Sequence, residues 1–121
     1  MAWTLTTDRP IYLQIIDVIK YRIISGVYKP GDRLPSVREL ATEASVNPNT
    51  MQKALTELER DNLIATNRTN GKFISEDEAM IQKLKQDIAK DEIQKFLTNM
   101  QKLGFSQKET IEILEEISNN E

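Results

Sequence analysis

The chain of 121 residues has no cysteine and no histidine. Without cysteine there is no disulfide framework and no thiolate metal site. Without histidine the chain loses the most frequent general base, the most frequent metal ligand and the side chain that titrates near neutral pH. Aromatic residues are sparse: three Phe, three Tyr and a single Trp. No apolar run approaches the roughly 18 residues of a membrane-spanning helix, and the N-terminus lacks a charged-then-apolar leader, so a cytoplasmic location is expected. There is no internal repeat and no low-complexity segment. An enzyme made from this composition would depend on paired carboxylates in a cleft, whereas the acids here fall on helical faces and at helix starts. The chain therefore reads as a non-enzyme with no cofactor and no metal.

The formal net charge is −3, which by itself argues mildly against nucleic acid. Its distribution tempers that. Residues 1–75 hold 10 Lys and Arg against 8 Asp and Glu, whereas residues 76–121 hold 6 against 11. Phosphate attraction is screened within about 10 Å, so the local sign outweighs the total. The length supports one compact domain with an appendage.

The most organised stretch runs from Leu34 to Leu55. Ser36 and Glu39 have the S-x-x-E spacing of a capping box. Val37, Leu40, Ala41 and Ala44 then mark one apolar helical face. After a tight turn, Asn47 is a good N-cap and Pro48 falls at the first helical position, where its missing N–H is harmless. Met51, Ala54, Leu55 and Leu58 repeat the apolar stripe, and Asn49, Thr50, Gln52, Lys53 and Thr56 lie opposite it. A helix with an apolar back and a front of amides, hydroxyls and an amine suits a DNA major groove. Spacing alone fits a solvated helical corner equally well.

Around this pair, residues 1–9 read as an arm whose Trp3 packs back on the domain or joins a second subunit. A first helix to about Ile24 is expected, capped by Asp8 with Pro10 in its first turn. Tyr12, Ile15, Ile16, Ile19 and Ile23 make its core face. Ser25-Gly26 ends it, and Pro30-Gly31 sets a type II turn. Asn62 takes a left-handed cap after the second motif helix. Leu63–Thr66 and Lys72–Ile74 read as strands of a hairpin, with Asn70-Gly71 as the turn signal. Ser75 and Glu78 form another capping box before a long helix to about Leu103. Gly104 ends that helix, and Ser106 and Glu109 cap a last one carrying Ile111, Ile113, Leu114 and Ile117.

The order Tyr28-x-Pro30-Gly31-Asp32-x-Leu34-Pro35-Ser36-x-Arg38-Glu39-Leu40-Ala41, Val46-Asn47-x-x-Thr50, Ala54-Leu55-x-x-Leu58-Glu59 and Leu63-Ile64 resembles the winged-helix domain of GntR-family bacterial transcription regulators over residues 8–75. The short remainder resembles the YtrA-like subfamily, which has two C-terminal helices in place of a large ligand-binding domain. The fold implied is mainly α with a small β-hairpin. Residues 1–75 would be the winged helix-turn-helix domain and residues 76–121 a two-helix dimerisation segment. The apolar area of that segment exceeds what one small winged helix covers, which also points to a homodimer. A two-fold dimer implies double-stranded DNA with a palindromic operator. Such regulators often stand beside ABC-transporter genes, and the resemblance implies a repressor of that kind. Any small-molecule effector is left unknown.

The resemblance also assigns roles. Arg38 matches a base-reading arginine, and its own helix offers no acid at the favoured i+3 or i+4 spacing. Ser36 and Thr50 match phosphate-contacting hydroxyls, although Ser36 is also the cap. Asn47, Asn49 and Gln52 match positions that set sequence preference. Arg33, Lys53, Arg68 and Lys72 complete the set, Arg68 at the wing tip where the family enters the minor groove. Arg33 reads equally as a phosphate contact or a solvated loop charge, and Arg68 and Lys72 have the alternative of a solvated hairpin tip. The family pattern has Gly at the position of Thr69 and a small hydroxyl residue where Lys72 stands. The competing function is a winged-helix adaptor that binds protein rather than DNA. It would call for acidic or apolar residues on the outer face of the second motif helix, and that face has neither.

Overall fold

The computed structural model describes residues 3–120. Among them, seven elements follow in order: α1 (Ile11–Ile24), α2 (Val37–Ala44), α3 (Pro48–Arg60), β1 (Ile64–Asn67), β2 (Gly71–Ile74), α4 (Glu78–Lys102) and α5 (Gln107–Asn119). The chain divides into two compact units, the first ending at Gln82 and the second beginning at Lys83.

The first unit is a winged helix. Its core joins Ile15, Ile19 and Ile23 of α1, Leu40 and Ala41 of α2, and Met51, Ala54, Leu55 and Leu58 of α3. Leu34, Leu63, Ile64 and Ile74 close it from the hairpin side, and Ile81 of α4 is buried as well. Each large aliphatic side chain buried in this way contributes about 1.5–3 kcal/mol of gross stabilisation.

The start of α1 departs from expectation. Asp8 does not cap it. Pro10 occupies the N-cap position with no side-chain cap bond, and the Asp8 carboxylate accepts instead from the Thr6 hydroxyl. A buried Gln14 does the joining. Its amide accepts from the Thr6 N–H at 2.8 Å and donates to the carbonyls of Thr6 and Arg9 at 2.9 and 2.8 Å. The arm is thereby tied to α1 by a side chain that stands outside the apolar stripe. Tyr12, expected in the core, is only half-buried.

The Pro30-Gly31 turn forms as its chemistry requires. Gly31 takes φ +82°, and the Asp32 N–H donates to the Lys29 carbonyl at 3.0 Å. The segment after it does more than turn. Gly31 and Leu34 donate to the carbonyls of Ile74 and Lys72, Ile74 donates back to Asp32, and Arg33 bridges Phe73. Residues 31–34 thus add a third extended rung beside β2, so the wing root is held on both edges. Polar Arg33 at its centre hid this in the sequence.

β1 and β2 pair antiparallel from Ile64–Ile74 to Asn67–Gly71. The loop between them is the three residues Arg68, Thr69 and Asn70, shorter than the expected five. Asn67 stabilises it by accepting from the Thr69 N–H and hydroxyl at 3.0 and 2.9 Å. Asn62 takes φ +63°, the left-handed cap expected of it.

α4 starts two residues later than the proposed Ser75–Glu78 box requires. Ser75 accepts from the Asp77 N–H, and Asp77 caps the helix by accepting from the Met80 N–H at 3.0 Å. In the second unit Gly104, at φ +98°, ends α4, and the Phe105 N–H closes back on the Met100 carbonyl. The Ser106–Glu109 capping box at the start of α5 has both of its hydrogen bonds. Ile93, Phe96, Leu103, Ile111, Leu114 and Ile117 remain exposed. Among the described residues no helix is long and apolar enough to cross a membrane.

Candidate nucleic-acid interface

The helix-turn-helix is built by its caps. Ser36 Oγ accepts from the Glu39 N–H at 3.1 Å, and the Glu39 carboxylate accepts from the Ser36 N–H. This fixes the first turn of α2 and places Arg38 on it, exposed, with no ion pair or hydrogen bond among the described residues. α2 ends on Ser45 in the left-handed conformation, φ 57°. The Val46 N–H then returns to the Ala41 carbonyl, which sharpens the turn. Asn47 Oδ1 caps α3 by accepting from the Asn49 N–H at 2.7 Å, with Pro48 at its first position.

The buried stripe of α3 orients everything opposite it. Met51, Ala54, Leu55 and Leu58 are fully enclosed, so Asn49, Gln52, Lys53 and Thr56 are exposed and Thr50 is half-exposed. Gln52 donates to the Thr56 hydroxyl at 3.2 Å along the helix. The Lys53 ammonium lies 3.9 Å from the centroid of the Tyr12 ring. This cation–π contact steadies Lys53 at the helix surface and explains why Tyr12 stays out of the core. The sequence contains the pair, but only the crossing of α1 on α3 makes it visible.

Arg33, Ser36, Gly71 and Lys72 line one groove between the wing and the start of α2. Arg33 is exposed, and its guanidinium passes over the backbone of Gly71, where a Cβ would stand 3.5 Å from Nε. Arg68 is exposed on the wing loop with no ionic partner among the described residues. Lys72 is different. Its ammonium pairs with Glu59 and donates to the Thr66 hydroxyl. Burial raises the Glu59 pKa, but hydrogen bonds from Lys72 and Thr66 and the Lys72 charge bring it below the usual glutamate value. Sequence reasoning had no signal for Glu59, since its partner is 13 residues away on another element.

Behind the interface a second polar cluster was also hidden. Arg22, buried on α1, donates to Tyr28 Oη at 2.8 Å and to Glu43 Oε2 at 3.1 Å, and it stacks beside the Trp3 ring. The Trp3 indole N–H donates to the same Glu43 oxygen at 2.8 Å. Trp3 therefore packs back on the first unit, one of the two fates open to it.

The arrangement offers the unpaired Arg38 and an exposed face of amides, hydroxyls and Lys53 on a helical pair, and no nucleophile–base pair among the described residues. Among the described residues no group of acids is placed to hold a metal ion. The family model for bacterial regulatory proteins of the gntR family matches residues 11–74. The HTH-type transcriptional repressor YtrA of Bacillus subtilis is 41% identical over 113 residues, 93% of this chain and 87% of that one. A GntR family transcriptional regulator from Listeria monocytogenes has the same fold at a TM-score of 0.85 and 42% identity, over 93% of this chain and 98% of that one. The AraR DNA-binding domain solved with operator ORE1 matches 60% of this chain and 90% of its own, at a TM-score of 0.54 and 26% identity.

Proposed function

The chain belongs to the gntR family of bacterial regulatory proteins, and from that premise we propose that it is a homodimeric transcription repressor that reads a palindromic operator. The observation that carries this reading is Arg38: exposed, without a partner among the described residues, and held at a capped helix start. A side chain so placed is ready for a bidentate contact with guanine O6 and N7, worth about 1–3 kcal/mol of base discrimination. Asn49 and Gln52 present amides suited to adenine, whereas Asn47 has given its oxygen to the cap of α3. Ser36, Thr50, Arg33 and Lys53 contact phosphates. Arg68 enters the minor groove at the wing tip.

Residues 1–75 act as the DNA-binding domain and residues 76–121 as the dimerisation segment. The exposed Ile93, Phe96, Ile111, Leu114 and Ile117 support that role, because apolar side chains spread along two helices of a water-facing unit mark a partner surface. A two-fold dimer sets two half-sites about 10 bp or more apart. An ABC-transporter operon is the target class that the resemblance to YtrA implies, and the protein works in the cytoplasm, where that DNA lies.

The test is selection of genomic fragments by the purified full chain, with footprinting of what is enriched. The proposal requires a short palindrome protected on both halves. Enrichment of no fragment would contradict it and favour the adaptor role, and protection of a single asymmetric half would contradict the homodimer on a palindrome.

A further inference from the structure

Glu59 lies in the last turn of α3, the recognition helix. Its carboxylate holds the ammonium of Lys72 on β2, which also donates to Thr66 on β1 at 3.1 Å. Thr66 and Lys72 stand directly opposite each other in the strand register. The next rung, Asn67–Gly71, closes the loop that carries Arg68. One helix carboxylate therefore engages both strands of the wing a single rung from its tip.

Residues 31–34 hold the wing along β2, and its β1 edge has little besides the Glu59–Lys72 pair. Ile64 and Ile74 anchor its root, but Ala65, Thr66 and Asn67 are exposed along β1. The Lys72 side chain is only 16% exposed and that of Glu59 31%, so the ion pair is partly withdrawn from solvent. Partial withdrawal gives it more weight than a surface pair carries.

We infer that Glu59, acting through Lys72, is a positioning residue that fixes the wing against the recognition helix and so sets where Arg68 meets DNA. This rests on the DNA-binding reading above. It makes Lys72 a brace rather than a phosphate contact. It also couples the two grooves, because the helix that reads bases in one carries the carboxylate that aims the arginine for the other.

One variant separates the alternatives by sign. Glu59→Gln removes a negative charge beside DNA. Were Lys72 a phosphate contact restrained by Glu59, freeing it would tighten binding. The brace predicts weaker binding, by about threefold to tenfold, the scale of coupling between residues in contact. The measurement is equilibrium binding of the full chain to the duplex that the wild-type protein selects, across a salt series, with thermal unfolding to establish that each variant is folded. Lys72→Arg, which keeps the pair, retains wild-type affinity. Lys72→Gln weakens binding without changing the salt slope, whereas loss of a phosphate contact lowers that slope by about one. Arg68→Ala costs less affinity in the Glu59→Gln background than in the wild type. Unchanged or tighter binding by Glu59→Gln, or a lowered salt slope for Lys72→Gln, overturns the brace while leaving the DNA-binding reading intact. Failure of the wild-type protein to select any duplex overturns both.

Discussion

The Arg22 guanidinium on α1 reaches the Glu43 carboxylate on α2 across 3.1 Å, and this ion pair joins the support helix to the first helix of the DNA-reading motif. The Arg22 side chain is 10% exposed and that of Glu43 35%. Two aromatic rings flank the guanidinium, Trp3 at 4.8 Å and Tyr28 at 5.6 Å. The cluster ties the arm, α1, the following turn and α2 at a single point.

Removing Arg22 should therefore destabilise more than one contact. Arg22→Ala loses two charge-assisted or phenolic hydrogen bonds and leaves Glu43 beside apolar surface. The expected loss is about 2–3 kcal/mol in urea unfolding. Glu43→Gln keeps the shape and loses the charge, for about 1 kcal/mol, since its carboxylate is partly hydrated. Trp3 is the only tryptophan, so its emission should shift to the red in folded Arg22→Ala as the indole becomes wetter. Equal stability of Arg22→Ala and wild type would remove the cluster from the account.

The same carboxylates shape the response to acid. Burial raises the Glu43 pKa, but hydrogen bonds from Trp3 and Arg22, with the Arg22 charge, hold it below its usual value. Glu59 is lowered in the same way by Lys72 and Thr66. A depressed carboxyl stabilises the fold above its unfolded pKa of about 4.3, and this is lost as pH falls through the lower folded value. Stability should thus fall below about pH 4.5, and Glu43→Gln should flatten part of that fall. With no histidine in the chain, little change is expected between about pH 5.5 and 7. A steep loss of stability across that neutral window would contradict the assignment.

The turn of the motif yields a backbone test. Ser45 is left-handed at φ 57°, a conformation that disfavours side chains branched at Cβ. Ser45→Val should destabilise by about 1–2 kcal/mol, and Ser45→Gly should be close to neutral, in thermal unfolding. Equal loss in both would show that the serine hydroxyl, not the backbone, matters there.

The sequence made much of this fold readable, for local reasons. Capping boxes at Ser36 and Ser106, the Asn47-Pro48 start, the Pro30-Gly31 turn and the Asn62 cap all depend on residues within four positions of each other, and each forms. Non-local features stayed hidden. Gln14 binding the arm, the 31–34 rung on β2, Tyr12 under Lys53, and the Arg22–Glu43 and Glu59–Lys72 pairs exist only once α1 crosses α3 and the wing folds back. Asp8 misled because a good N-cap residue, two places before the Pro10 that takes the cap position, bonded to Thr6 instead. Of the candidate site, the outward faces of α2 and α3 were legible from periodicity. The engagement of Lys72 was not, because its partner belongs to another element.

Dimerisation can be tested on α5. Leu114 is 44% exposed in the second unit, and in the proposed homodimer a charge placed there would meet apolar surface. Sedimentation equilibrium should give the wild type twice the 13.9 kDa chain mass, and Leu114→Glu should shift it toward that mass with a folded winged helix. The wild-type melting temperature should also rise with concentration. A wild type that sediments at the single-chain mass at every concentration would exclude the homodimer.

Base reading by the α2–α3 face is measured by titrating wild type and Arg38→Ala against the selected duplex and a scrambled duplex, at equal length and salt. Arg38→Ala should lose about tenfold to a hundredfold on the selected duplex, the worth of a bidentate guanine contact, and much less on the scrambled one. Equal losses on both duplexes, or none on either, would contradict it.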